Sequence, residues 1–212
     1  GIVYRTVQVN ERGMLDLCEV DALLNPRDEP QPRTGMIEIE NTHGSTGGRV
    51  LSLEDTSAVV ELAHKHSVPV HIDGARFFNA VVALGVPASD LAEGVDTITF
   101  CLTKGLSAPF GSMLCGAKDD IARARLVKQS LGGGLRQAGI MAAAGIVALE
   151  SMVDRLAEDH ENAAMLATGL AQLPGVMLNP EEVETNQVYF RVTFNDQDEV
   201  HRILDARGVR GL

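Results

Sequence analysis

The 212 residues suffice for one large domain with a small appendage, and 45% apolar against 22% charged residues is the balance of a globular protein with a real core. A net charge of −11, from 18 Lys+Arg against 29 Asp+Glu, repels phosphate backbones, and the absence of Trp weakens base stacking, so nucleic acid is excluded as a partner. The three cysteines stand singly, without CxxC or Cys/His spacing, which argues against a disulfide framework and a structural zinc and for a reducing, cytoplasmic setting.

Ile2–Val9, rich in β-branched residues, reads as a strand. A Gly turn, a capping Asp16 and a short helix through Leu24 follow, and Pro26, Pro30 and Pro32 make the stretch to Thr34 a surface loop. Met36–Glu40 reads as a strand, "NTHGSTGGRV" as a loop and Leu53–His66 as an amphipathic helix with acids in its first turn. Val68–Ile72 is a strand ending at Asp73, "FFNAVVALG" a helix closed by Gly85, and Asp96–Leu102 and Gly111–Gly116 are further strands. Gln137–Leu173 is helical with a bend, and Pro174-Gly175 ends it. "VMLN", "QVYFRVTF" and the helix "DQDEVHRILDARG" then suggest a small α+β unit.

Strands alternating with helices, and buried runs of β-branched residues, indicate an α/β fold with a mostly parallel sheet. The expected organisation is a large domain over residues 1–165 and part of a small C-terminal α+β domain over 166–212. The chain opens as if already inside a strand and stops where a helix would hand over to another, so it reads as an internal piece of a longer protein. Its longest low-polarity run, Ala138–Leu149, is too short and too rich in Gly and Ala to span a bilayer, so no membrane partner is expected, and its first residues do not read as a signal peptide.

Ligands of open parallel sheets lie beyond the carboxyl ends of the strands, where His43, Asp73, Arg76 and Lys104 each follow a predicted strand. Lys104 reads either as a lysine reaching solvent from a loop or as an amine whose burial would favour imine chemistry. Asp73 reads as an N-cap for the next helix or as an acid facing a ligand, and Arg76 as its ion-pair partner. Together, a Lys and an Asp on neighbouring strand ends suit pyridoxal phosphate, which needs an amine for its aldehyde and an acid for its ring nitrogen. His43 is a solvated loop residue or a base, and Arg136, after three glycines, a hinge residue or a fork for phosphate or carboxylate. "KDDIARAR" and "NPEEVET" read as solvated, His160 and His201 as helix-surface residues, and His64 and His66 as lacking a metal partner.

Four blocks in order, "IENTHGSTGGRVLSLE", "VHIDGARFFNAVVALG", "CLTKGLSAPFGSMLCG" and "LGGGLRQAGIMAAAGIVALE", resemble the low-specificity L-threonine aldolase family, which belongs to the fold-type I, aspartate-aminotransferase-like pyridoxal phosphate enzymes. The resemblance covers most of Gly1–Glu150. It implies pyridoxal 5'-phosphate as cofactor, bound covalently by Lys104, with Asp73 at the ring nitrogen and Arg76 near the phenolic oxygen. It also implies Arg136 at the phosphate, reaching in from a partner subunit of a homodimer or homotetramer, and His43 near the β-hydroxyl of a small amino-acid substrate. Thr103 stands where the family has Ser and keeps the hydroxyl. The implied reaction is retro-aldol cleavage of L-threonine, L-allo-threonine and related β-hydroxy-α-amino acids to glycine and an aldehyde. The family's N-terminal Ser-Gly-Thr phosphate cup and a C-terminal substrate-binding Arg find no match. The alternatives are another fold-type I lyase or transaminase, or an inactive fragment serving assembly.

Overall fold

A computed structural model describes residues 2–24, 33–193 and 197–210. The helix cap at Asp16 forms as expected, its Oδ1 accepting the backbone N–H groups of Cys18 and Glu19 at 2.9 and 3.1 Å and starting α1 (Leu17–Leu24). Ile2–Val9 makes no strand. Ile2, Val3 and Tyr4 are exposed, and the segment forms an isolated bridge from Val9 to Leu15, with the Gln8 carbonyl accepting the Asp16 N–H at 3.1 Å. Among the described residues no strand runs beside its β-branched side chains, so propensity alone does not organise them. The proposed Pro-rich loop falls on residues 25–32, outside those described.

Strand β1 (Ile37–Glu40) lies parallel to β2 (Val70–Gly74), and β2 parallel to β3 (Thr97–Cys101). The fourth strand, β4 (Ser112–Gly116), returns antiparallel beside β3, giving a mostly parallel sheet in the order β1-β2-β3-β4. Between β1 and β2 runs α2 (Leu53–Lys65), started by a reciprocal cap in which Ser52 accepts the Asp55 N–H and Asp55 accepts that of Ser52. Helices α3 (Phe77–Leu84) and α4 (Ala88–Leu91) link β2 to β3, and α5 (Lys118–Ser130) follows β4. The long helical stretch breaks at 152–155 into α6 (Gly139–Ser151) and α7 (Leu156–Ala171). A two-stranded antiparallel sheet of β5 (Val176–Met177) and β6 (Arg191–Val192), a 3-10 turn at Pro180–Glu182 and α8 (Gln197–Ala206) complete the described chain.

The core explains the order of the layers. Ile37, Ile39, Val70 and Ile72 from the sheet meet Val59, Val60 and Ala63 of α2 and Phe77 and Ala80 of α3, all buried. Each large side chain so placed contributes about 1.5–3 kcal/mol. A second cluster of Leu102, Leu106, Ala108, Ala148 and Leu156 sits under the loop after β3. Phe78 and Phe100 pack edge-on, with ring centroids 5.1 Å apart, beside this cluster. Among the described residues, no helix is long and apolar enough to cross a membrane.

"NPEEVET" is not a solvated loop. Glu184 joins Arg12 and Arg49, and the fully buried Thr185 donates to the Gly48 carbonyl at 2.8 Å. The Lys118–Arg125 stretch does lie on an exposed helix, and all of α5 is exposed or partly exposed.

Candidate active site at the strand ends

Residues that follow β1, β2 and β3 gather at one edge of the sheet because parallel strands end together: Glu40 lies beside Asp73, and Asp73 beside Thr99. The backbone N–H of Asn41 donates to the Asp73 carbonyl at 3.0 Å, extending that register past β1. The buried Asn41 side chain then pairs both its amide ends with Leu51, at 3.0 and 3.2 Å, and fixes the start and finish of the intervening loop.

Asp73 is not the cap of α3. That helix starts at Phe77 with Arg76 in the capping position, and no side chain caps it. Instead Asp73 Oδ1 accepts the Ala75 N–H at 3.1 Å, a local turn that leaves Oδ2 without a protein donor among the described residues. Arg76 is not paired with Asp73 either, and its buried Nε has no hydrogen-bond partner.

A narrow cleft, with room for about one water molecule, is lined by Arg76, Asn79, Cys101, Lys104 and Gly105, so Arg76 and Lys104 border the same hollow. Lys104 itself is exposed among the described residues, as in the reading of a lysine that reaches solvent from its loop. Just before it, the Cys101 Sγ lies 3.0 Å from the Thr103 hydroxyl. Partial burial pushes that thiol up, but hydrogen bonds from Thr103 and the neighbouring Lys104 ammonium outweigh it and hold the thiol below its ordinary range.

His43 occupies a separate niche and does not line the Arg76–Lys104 cleft. Its Nδ1 lies 3.1 Å from the Thr46 hydroxyl and its Nε2 3.9 Å from Glu40 Oε2, with only 12% of the side chain exposed. Gly13, at φ +86°, leaves room for the ring, since a Cβ there would collide with His43 Cγ. Arg136 lies in the exposed loop between α5 and α6, away from the cleft lining, and makes no hydrogen bond or ion pair within the described residues.

Sequence reasoning missed Asn79 and His160. Asn79 is 3% exposed and its Nδ2 lies 3.0 Å from Nε2 of His160 on α7, so His160 is not a free surface residue. The spacing carried the signal, because Leu156, His160, Ala163 and Ala167 fall on one helical stripe whose other members are buried. His64 and His66 pair singly with Asp96 and Asp21, each at 3.0 Å, and no group of three or more potential metal ligands occurs among the described residues.

Residues 1–193 match the family model described as beta-eliminating lyase. The chain is 44% identical over 191 residues to low-specificity L-threonine aldolase 1 of Arabidopsis thaliana, covering 89% of this chain and 53% of that one. It is 39% identical over 197 residues to the low specificity L-threonine aldolase of Escherichia coli K12, covering 93% and 57%. The chain thus spans about half the length of the curated relatives it matches. A solved Listeria monocytogenes structure, provisionally assigned as an L-allo-threonine aldolase, superposes with a TM-score of 0.78 at 22% identity, over 95% of this chain and 55% of that one, and shows the shared fold.

Proposed function

The chain belongs to the beta-eliminating lyase family, and on that premise we propose that its protein is a pyridoxal-phosphate-dependent threonine aldolase. The reaction is cleavage of L-threonine, L-allo-threonine or a related β-hydroxy-α-amino acid to glycine and an aldehyde. The observation that carries this reading is the 44% and 39% identity to two low-specificity L-threonine aldolases over nearly the whole chain.

The residues at the strand ends fit the cofactor chemically. Asp73 keeps an uncommitted carboxylate oxygen for a protonated ring nitrogen, and Arg76 keeps an orphaned buried Nε beside the cleft that Lys104 shares. Lys104 would hold the aldehyde carbon, Asp73 the ring nitrogen and Arg76 the phenolic oxygen. When bound, the cofactor supplies an electron sink for the pair released as Cα–Cβ breaks. His43, which stands outside the Arg76–Lys104 cleft, would take the β-hydroxyl proton through ordered water: the Thr46 hydroxyl donates to the His43 carbonyl at 3.2 Å and accepts from Nδ1–H, which leaves Nε2 as the proton acceptor. The proton restored at Cα completes glycine.

Arg136, exposed on its loop, would serve the phosphate of a partner subunit in a homodimer or homotetramer. We place cofactor binding in residues 1–165 and a partial small domain in 166–212, in a cytoplasmic protein. Incubation of the chain with pyridoxal phosphate and L-threonine should yield acetaldehyde and glycine in equal amounts, and Lys104→Ala should abolish both. A keto acid without glycine would instead support β-elimination or transamination on the same fold.

A further inference from the structure

Asn79 and His160 have no part in the chemistry assigned above, yet they sit directly behind the loop that carries Lys104. A buried amide must find partners, and Asn79 finds His160 Nε2 at 3.0 Å across the α3–α7 contact. Burial lowers the His160 pKa more than the adjacent Asp159 raises it, so the ring is neutral near pH 7. A neutral ring whose Nε2 faces the amide nitrogen accepts its N–H, and this fixes which end of the amide faces the other way.

The other end faces Gly105. A Cβ on Gly105 would lie 3.8 Å from Asn79 Oδ1, 3.8 Å from Asp159 Oδ2 and only 2.5 Å from Leu156 Cδ2. The turn after β3 therefore packs tightly on Leu156 of α7 at the residue following Lys104 and meets Asn79 of α3 at ordinary van der Waals distance, and Asn79, Lys104 and Gly105 line the same cleft.

We propose that Asn79 and His160 are a positioning pair for the Lys104–Gly105 turn: the imidazole sets the amide, and the amide sets the backbone that presents the amine. The proposal rests on the reading of Lys104 as the cofactor's anchor. It makes α7, a helix outside the sheet, a determinant of how that amine is held.

The test compares the full chain with Asn79→Leu, His160→Leu and His160→Gln, the last keeping an acceptor for the amide N–H. Each is titrated with pyridoxal phosphate, trapped with borohydride and digested to measure cofactor fixed on Lys104, and hydrogen exchange is followed in peptides covering 102–111. Loss of one such hydrogen bond should lower trapping in His160→Leu about fivefold and speed exchange in 102–111, with His160→Gln recovering most of both. Wild-type trapping and exchange in both leucine variants would overturn the proposal, as would a Gln variant as impaired as the Leu variant. If Lys104 of the wild type traps no cofactor, the anchor reading fails, while the exchange comparison still decides whether the pair holds the turn.

Discussion

Arg12 and Glu184, 172 residues apart in the chain, meet in a two-pronged ion pair at 2.6 and 3.2 Å. Glu184 also accepts from Arg49 at 2.9 Å and from the Val50 N–H at 2.9 Å, so one carboxylate ties the N-terminal segment and the loop after His43 to the stretch before β6. Glu184→Gln removes the charge and leaves Arg49, whose side chain is 14% exposed, with only the more exposed Glu182, 3.4 Å away, as counter-ion. The expected loss is about 1–2 kcal/mol, discounted because Arg12 is half exposed, read as a lower urea midpoint at unchanged slope.

The same carboxylate gives a pH dependence. Burial raises the Glu184 pKa, but hydrogen bonds from Arg12, Val50 and Arg49 outweigh it, and the folded-state value lies below the ordinary one. A depressed carboxyl stabilises the fold fully above its unfolded pKa of about 4.3 and loses that contribution as pH falls through the folded value. Urea midpoints measured downward from pH 6 should fall below about pH 4.5 in the wild type and more shallowly in Glu184→Gln.

Gly74 follows Asp73 at the end of β2, where a Cβ would sit 2.6 Å from the Thr99 carbonyl and 2.8 Å from Phe77 Cβ. Neither the β3 backbone nor the buried start of α3 can withdraw freely. Gly74→Ala should cost about 1–3 kcal/mol and displace Asp73, seen as a lowered melting temperature together with weakened pyridoxal phosphate binding.

Cys101 offers a chemical readout of the turn before Lys104. Its alkylation by iodoacetamide, followed by peptide mass spectrometry against pH, should show a midpoint below the usual thiol value of about 8.5. Thr103→Val removes the hydroxyl 3.0 Å from Sγ and should move the midpoint upward. Prior binding of pyridoxal phosphate should slow the reaction, because Cys101 and Lys104 line one cleft.

Asp73→Asn separates local structure from chemistry. The amide oxygen can still accept the Ala75 N–H that Asp73 Oδ1 holds at 3.1 Å, so stability should change little. Glycine production from L-threonine should fall on the order of 10²-fold through loss of the charge opposite the ring nitrogen. Wild-type turnover in this variant would remove Asp73 from the site.

The sequence carried those features that depend on short-range pattern. The apolar runs of β2 and β3, the Gly85 stop after α3 and the acidic first turn of α2 all stand where periodicity and capping put them. Ile2–Val9 misled because β-branched residues signal strand only when another strand is there to pair with. The Asp73 cap failed for a similar reason, since two more residues of turn intervene before α3 and the carboxylate is used on the way. The role of Glu184 was illegible, because no local pattern announces partners at positions 12 and 49. For the site, Arg76 and Lys104 border one hollow because each follows a neighbouring strand, whereas the niche around His43 depends on Gly13 and Thr46 from separate turns.

The Glu184 junction has a consequence for synthesis. Contacts spanning 135 to 172 residues give this part of the molecule a high contact order, and a chain emerging from the ribosome cannot form them until nearly all the described residues are out. The tie from Arg12, Arg49 and the Val50 N–H to Glu184 must therefore wait, while the three parallel strands and the local bonds of the His43 loop can already form. The sheet can precede the clamp on its rim, and nascent chains stalled before residue 184 should show protected β1–β3 amides but an unprotected Val50 N–H.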